Sequence, residues 1–302
     1  MLTVFYKMKK GIAMNSSSPV SHDLFRSARR WLPLCILIPA LLAAILMLVA
    51  FFTQYDAPQA NYFRAGASLP VIAGILAGLS ALIGTAAAFT LPRTAPQTQS
   101  LPLPGASLNG VIGFLACSAF LVLSLIRDRF DWMLLLTLAL SLCSAVYCIL
   151  VAFFTLSREH TRDIAVPLGF TPIFATIFLC ASHYFDKSLE MNAPVKVILM
   201  LGLLTAMITF TGEIRYHVGS ALPRVYLMML SWSIAAGSLS FLAVPAAAFA
   251  GILSGYAYLA SSFVILGCTV SSALRLWTLL RALPETPEAD GDSAGADGEN
   301  RT

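Results

Sequence analysis

The chain has 302 residues, of which 58% are apolar and only 11% are charged, and its formal net charge is +4. Soluble domains carry roughly 25% charged residues, so this chain has too few charges to cover a hydrated surface of its size. The composition excludes a soluble globular protein, a disordered chain and a secreted disulfide scaffold. It indicates an all-α, multi-pass membrane protein.

Apolar runs divide the chain into eight candidate membrane spans. A helix needs about 20 apolar residues to cross the hydrocarbon core of a bilayer. In chain order the runs cover residues 32–54, 68–91, 108–126, 132–156, 164–184, 195–216, 223–244 and 247–280. Because Pro245 and the alanines beside it separate the last two runs only weakly, seven spans are the alternative.

The basic residues favour one orientation. With eight spans and a cytoplasmic N-terminus, 14 of the 19 Lys and Arg residues fall on the side of the termini and 5 on the other side. Cytoplasmic segments carry such an excess, so we expect both termini to be cytoplasmic and the plasma membrane to be the location. We predict a cytoplasmic N-terminal segment at 1–31, the transmembrane bundle at 32–283 and a disordered acidic tail at 284–302.

Motifs for enzyme chemistry do not occur in the sequence. It contains no H-E-x-x-H, G-x-S-x-G, P-loop or G-x-G-x-x-G pattern, and none of its six cysteines forms a C-x-x-C pair. The basic residues lie in short loops between apolar runs, which argues against nucleic acid as a partner. We therefore expect no catalytic residue, no metal and no cofactor, and we favour a protein that is not an enzyme.

Glu213 is the strongest candidate for a functional charge at membrane depth. It follows Lys196 by 17 residues, or about 26 Å along a helix, and so falls roughly one turn inside the cytoplasmic boundary. Ionisable residues at this depth are costly and are functional candidates. Arg215 points to another face of the same helix, so Arg275 or Arg224 is the expected partner. The alternatives are a structural ion pair and a substrate or proton site.

A polar cluster on the other side of the membrane joins the fifth and sixth spans. It consists of His183, Asp186, Lys187, Glu190 and Asn192, and it ends at Pro194. Asp186 and Glu190 are four residues apart and share one face if the segment is helical, where they would bind a cation or an external ligand. The alternative is a solvated turn. We expect the histidines to be interfacial and hydrated.

Small residues and prolines suggest two further features. Gly74 and Gly78, and likewise Gly251 and Gly255, form G-x-x-x-G patterns that favour close packing inside the bundle over dimerisation. The fifth span contains Pro167, Gly169 and Pro172, whose positions resemble those of Pro33 and Pro39 in the first span. If the chain is a repeat of two four-helix halves, this broken part of the fifth span beside Glu213 is a candidate site. Kinked helices without a site are the alternative.

One stretch resembles a known group of sequences. It comprises the Tyr-Phe-Asp to Ala-Pro-x-Lys run at 184–196, Gly-Glu-Ile-Arg-Tyr at 212–216 and Pro-Arg at 223–224. These residues resemble a pattern in uncharacterised multi-pass membrane proteins of anaerobic bacteria, over about residues 160–230. The resemblance implies a membrane protein and no particular activity.

Two functions fit these expectations. The first is a non-enzymatic sensor or regulatory membrane protein, and the alternative is a secondary transporter for a small solute or a proton-coupled substrate. The partners we expect are the lipid bilayer together with a protein partner or a second copy of the chain.

Overall fold

A computed structural model describes residues 19–56, 62–89, 101, 103–127, 131–153, 159–187, 189–190, 192–220, 222–253 and 255–281. The acidic tail and most of the predicted N-terminal segment lie outside these residues. The helices are α1 (Pro19–Thr53), α2 (Leu69–Ala88), α3 (Ser107–Arg127), α4 (Trp132–Phe153), α5 (Glu159–Phe185), α6 (Pro194–His217), α7 (Pro223–Ser238), α8 (Ala243–Phe249) and α9 (Tyr256–Arg281). Strands β1 (Tyr55–Asp56) and β2 (Tyr62–Phe63) pair antiparallel, and a 3-10 turn at Pro104–Ala106 leads into α3.

The all-α multi-pass architecture is confirmed. Within the described residues, eight stretches are long and apolar enough to cross a membrane, in agreement with the predicted count. The boundary between the last two spans was predicted wrongly, because α8 extends the seventh span to Phe249 and the eighth begins only at Tyr256. Gly251 and Gly255 lie between these spans in left-handed backbone, with φ of 75° and 129°, so they are not a helix-packing motif.

The two ends of the bundle are defined by side-chain contacts. At one end Tyr62 of β2 meets the segment between α5 and α6, and Tyr258 at the start of α9 meets the same segment. We call this the ribbon end. At the other end Arg275 of α9 meets the start of α3 and the last turns of α6, and we call this the arginine end. Both α6 and α9 therefore run from the ribbon end to the arginine end.

Helix α9 occupies the centre of the bundle. It packs most extensively against α3 and also contacts α6, α7 and α8. Helix α6 packs most extensively against α5, just as α2, its counterpart in a repeat of two halves, packs against α1. The other contacts differ, because α6 also meets α7 and α9 of its own half, whereas α2 meets α7 of the opposite half. The helix packing therefore repeats only in part between the halves.

Helix α5 is continuous through the region expected to be broken. Pro172 has no N–H for the carbonyl of Leu168, four residues earlier, and the Thr171 hydroxyl donates to that oxygen instead at 2.7 Å. Gly169 faces Ile214 of α6, where an added Cβ would lie 2.9 Å from the Ile214 Cγ1. Close packing and a substitute hydrogen bond thus preserve the helix.

The interruption lies in the seventh span instead. Residues Leu239–Leu242 form turns between α7 and α8. Pro245 follows in the first turn of α8, where its missing N–H cannot bond to the Phe241 carbonyl, and a proline is tolerated best at such a helix start. Pro245 was expected to separate two spans, whereas it lies beside a break within one span.

Candidate functional site

The arginine end contains a buried ion pair between α6 and α9. Glu213 is 3% exposed and Arg275 is 1% exposed, and the Arg275 Nη1 donates to the Glu213 Oε1. The structure therefore brings together two of the predicted candidates. Desolvating both charges is costly, and a close partner is what makes their burial tolerable.

Two further side chains hold the guanidinium in place. Its Nη2 donates to the Ser107 Oγ at 2.5 Å, and its Nη1 lies 3.4 Å from the Tyr226 hydroxyl. Ser107 is positioned by the 3-10 turn, which follows Leu103 in left-handed backbone with φ of 45°. Ser271 secures that turn by donating to the Ala106 carbonyl at 2.8 Å. Arg275 thus joins α3, α6, α7 and α9.

A small cavity lies beside this ion pair. It is lined by Cys148, Thr209, Glu213, Cys268 and Arg275, among others, and has room for about one water molecule. The Arg275 Nε is buried and has no hydrogen-bond partner among the described residues. The arrangement holds a charge pair in a nearly dry interior, and it offers no space for a solute larger than water.

Arg215 and Arg224 lie apart from this pair. Arg215 is exposed, two residues from Glu213 and on another face, as expected. Arg224 donates to the Phe89 carbonyl at 3.3 Å, and its guanidinium carbon lies 5.4 Å from the centre of the Phe89 ring. Of the two expected partners of Glu213, the structure thus places Arg275 beside it, while Arg224 contacts Phe89, the residue that follows α2.

The ribbon end contains a second polar network. Helix α5 ends at Phe185, so Asp186 and Glu190 do not share a helix face. Tyr258 of α9 donates to the Asp186 Oδ2 at 2.5 Å, and Tyr62 of β2 donates to the Glu190 Oε2 at 2.9 Å. Asp186 thus contacts α9, whereas Glu190 contacts β2.

Lys196 and His183 complete this network and are buried. Lys196 is 1% exposed, and its ammonium donates to the carbonyls of Asp186 and Leu189. The His183 Nε2 lies 2.6 Å from the Ser261 Oγ of α9, and its ring stacks on Tyr258. The expectation of hydrated histidines was wrong here. It was also wrong for His217, which is buried with its Nε2 3.1 Å from the Tyr147 hydroxyl.

An aromatic cluster supports the ribbon. Tyr55 packs with its ring centre 4.9 Å from that of Phe51 and 5.5 Å from that of Phe63. Burial raises the pKa of the Tyr55 phenol to about 12. The strands that present Tyr62 to Glu190 are therefore anchored on the end of α1.

Several of these residues were not identified from the sequence. Lys196 was placed at the interface only as a reference point, and Ser107, Tyr226, Tyr258 and Ser261 have nothing unusual in their local sequence. A lysine in the first turn of an apolar helix was the one available signal, because it must find oxygen acceptors when that turn is buried.

Comparison with known proteins adds no family to these observations. No family model, no curated protein and no solved structure matches the chain.

Proposed function

We propose that the protein is a non-enzymatic sensor or regulatory protein of the plasma membrane, with α6 and α9 carrying a change from the ribbon end to the arginine end. The observation that carries the proposal is that both helices make polar contacts at both ends of the bundle. At the ribbon end, Lys196 of α6 and Tyr258 of α9 bind the same residue, Asp186. At the arginine end, Glu213 and Arg275 form the buried ion pair.

The spacing of these contacts is the same on the two helices. Lys196 precedes Glu213 by 17 residues, and Tyr258 precedes Arg275 by 17 residues. Each interval corresponds to about 26 Å of helix. Because the two parallel helices are joined at matching positions at both ends, neither bends independently of the other. A displacement of Asp186 therefore changes the alignment of the ion pair. Distant sites in proteins are coupled by structural elements that have two discrete packing arrangements.

The basic residues support the orientation that this proposal uses. The ribbon end faces outward, where Asp186 and Glu190 meet an external ligand, and the arginine end faces the cytoplasm with both termini. The partners are the lipid bilayer and, at the arginine end, an effector protein or a second copy of the chain.

Alkylation of a buried cysteine tests the proposal. Cys148 lines the cavity beside Glu213, and full-length protein with Cys148 as its only cysteine is treated with N-ethylmaleimide in nanodiscs. Tyr258→Phe should raise the alkylation rate at least about five-fold, since coupling energies are typically 1 kcal/mol or more. Tyr256→Phe is the control, because that hydroxyl contacts Arg127 of α3. Equal rates in the two variants would contradict the proposal.

A small-solute or proton-coupled transporter is the second candidate, and the interruption at Leu239–Leu242 favours it, since transporters use discontinuous helices. Alternating access requires water to reach Glu213. In that case, in the protein that has Cys148 as its only cysteine and carries no tyrosine substitution, Cys148 reacts rapidly with a charged, water-soluble maleimide. Under the sensor proposal it reacts slowly.

A further inference from the structure

A groove opens on the surface of the bundle between α6 and α7, near the arginine end. Its lining residues are Gly212, Arg215, Leu222, Val225, Tyr226 and Met229. Gly212 lets the two helices approach closely, since an added Cβ would lie 2.7 Å from the Tyr226 ring. The groove is separate from the cavity at Glu213 and is not used by the proposed function.

The groove is charged at one end and apolar along its length. Arg215 is exposed in the last turn of α6. Within the described part of the chain, no hydrogen bond or ion pair engages its guanidinium. The groove is lined by the apolar side chains of Leu222, which precedes α7, and of Val225 and Met229 in α7, and these extend about 10 Å toward the middle of the span. Glu213 is the one acid of α6 and α7, and it is already paired with Arg275.

We propose that this groove binds an anionic phospholipid, with the phosphate on Arg215 and an acyl chain along Val225 and Met229. Charge complementarity selects an anion at the rim, and the apolar wall selects a hydrocarbon chain below it. Basic pockets between membrane helices recognise acidic lipid headgroups in this way. A free phosphate or an acidic peptide would satisfy Arg215 but would leave the apolar wall uncovered.

Tyr226 links this lipid site to the buried ion pair. Its ring lines the groove, while its hydroxyl lies 3.4 Å from the Arg275 Nη1. A lipid chain in the groove therefore packs against the same side chain that supports the guanidinium. Lipid binding at the membrane surface therefore affects the buried ion pair through Tyr226.

Native mass spectrometry of the full-length protein in detergent tests the proposal, with dioleoyl phosphatidylglycerol and dioleoyl phosphatidylcholine as probes. The protein should retain the phosphatidylglycerol preferentially, and Arg215→Gln should lower its occupancy about five-fold, as expected for the loss of one cation. Arg281→Gln is the matched control, because Arg281 is also an exposed arginine in the last turn of its helix, but it lies over the Trp277 ring. It should leave occupancy unchanged.

A second variant tests the apolar wall without altering charge. Val225→Phe narrows the groove and should also lower phosphatidylglycerol retention, while the protein keeps its thermal stability. The proposal is overturned if Arg281→Gln lowers occupancy as much as Arg215→Gln, if Val225→Phe has no effect, or if the two lipids bind equally. Displacement of the lipid by millimolar inorganic phosphate would identify a phosphate site instead and would also overturn it.

Discussion

Arg275 is the residue on which the buried polar contacts of the arginine end converge. Glu213, Tyr226 and Ser107 approach it from three different helices. Sequence reasoning identified Glu213 and Arg275 because charges are rare at membrane depth and each needs a partner. It did not identify Tyr226 or Ser107, because tyrosine and serine are common in membrane helices, and only the packing decides which of them faces the guanidinium.

Removing one charge of the pair should lower the stability of the protein more than removing both charges. Glu213→Met or Arg275→Met leaves a buried charge without its counterpart and should lower the free energy of unfolding by about 3–5 kcal/mol. The double variant replaces the pair with apolar side chains and should be more stable than either single variant. Unfolding by sodium dodecyl sulfate in mixed micelles measures this.

The control for this series is Arg215→Ala. Its side chain is exposed, so stability should stay within about 0.5 kcal/mol of the parent. If the double variant were less stable than both single variants, the pair would not be the dominant interaction.

At the scale of helices, close crossings depend on glycines that periodicity did not single out. Gly113 of α3 and Gly267 of α9 face each other, and a Cβ at Gly267 would overlap the Asn109 carbonyl oxygen. Gly74 and Gly78, which the sequence pattern favoured, have no atom within 4 Å of an added Cβ. The G-x-x-x-G spacing places two glycines on one face but does not say which face meets a neighbour. That expectation of packing inside the bundle was wrong for α2.

Alanine substitutions should separate the two kinds of glycine. Gly267→Ala forces α3 and α9 apart and should cost about 1–3 kcal/mol, as overpacking does. Gly78→Ala meets no atom and should be neutral or stabilising by up to about 1 kcal/mol, since alanine favours helix. Midpoints of unfolding in the same micelles compare them. A loss of stability in Gly78→Ala but not in Gly267→Ala would contradict this packing.

At the scale of the whole molecule, composition and hydropathy were sufficient to predict eight spans, because a bilayer demands about 20 apolar residues for each crossing. The order in which the helices pack was not predictable. In membranes, association depends on detailed van der Waals fit and on a few hydrogen bonds rather than on hydrophobic pattern. The central position of α9, and its parallel alignment with α6, thus became visible only in the structure.

The central claim is that α6 and α9 couple the ribbon end to the arginine end. A double-mutant cycle between Tyr258→Phe and Glu213→Gln, measured as free energies of unfolding in micelles, tests it most directly. The two side chains lie at opposite ends of about 26 Å of helix, where uncoupled sites are additive within about 0.5 kcal/mol. We predict an interaction energy of about 1 kcal/mol or more for this pair, and additivity when Tyr256→Phe replaces Tyr258→Phe. Additivity in both cycles would contradict the account.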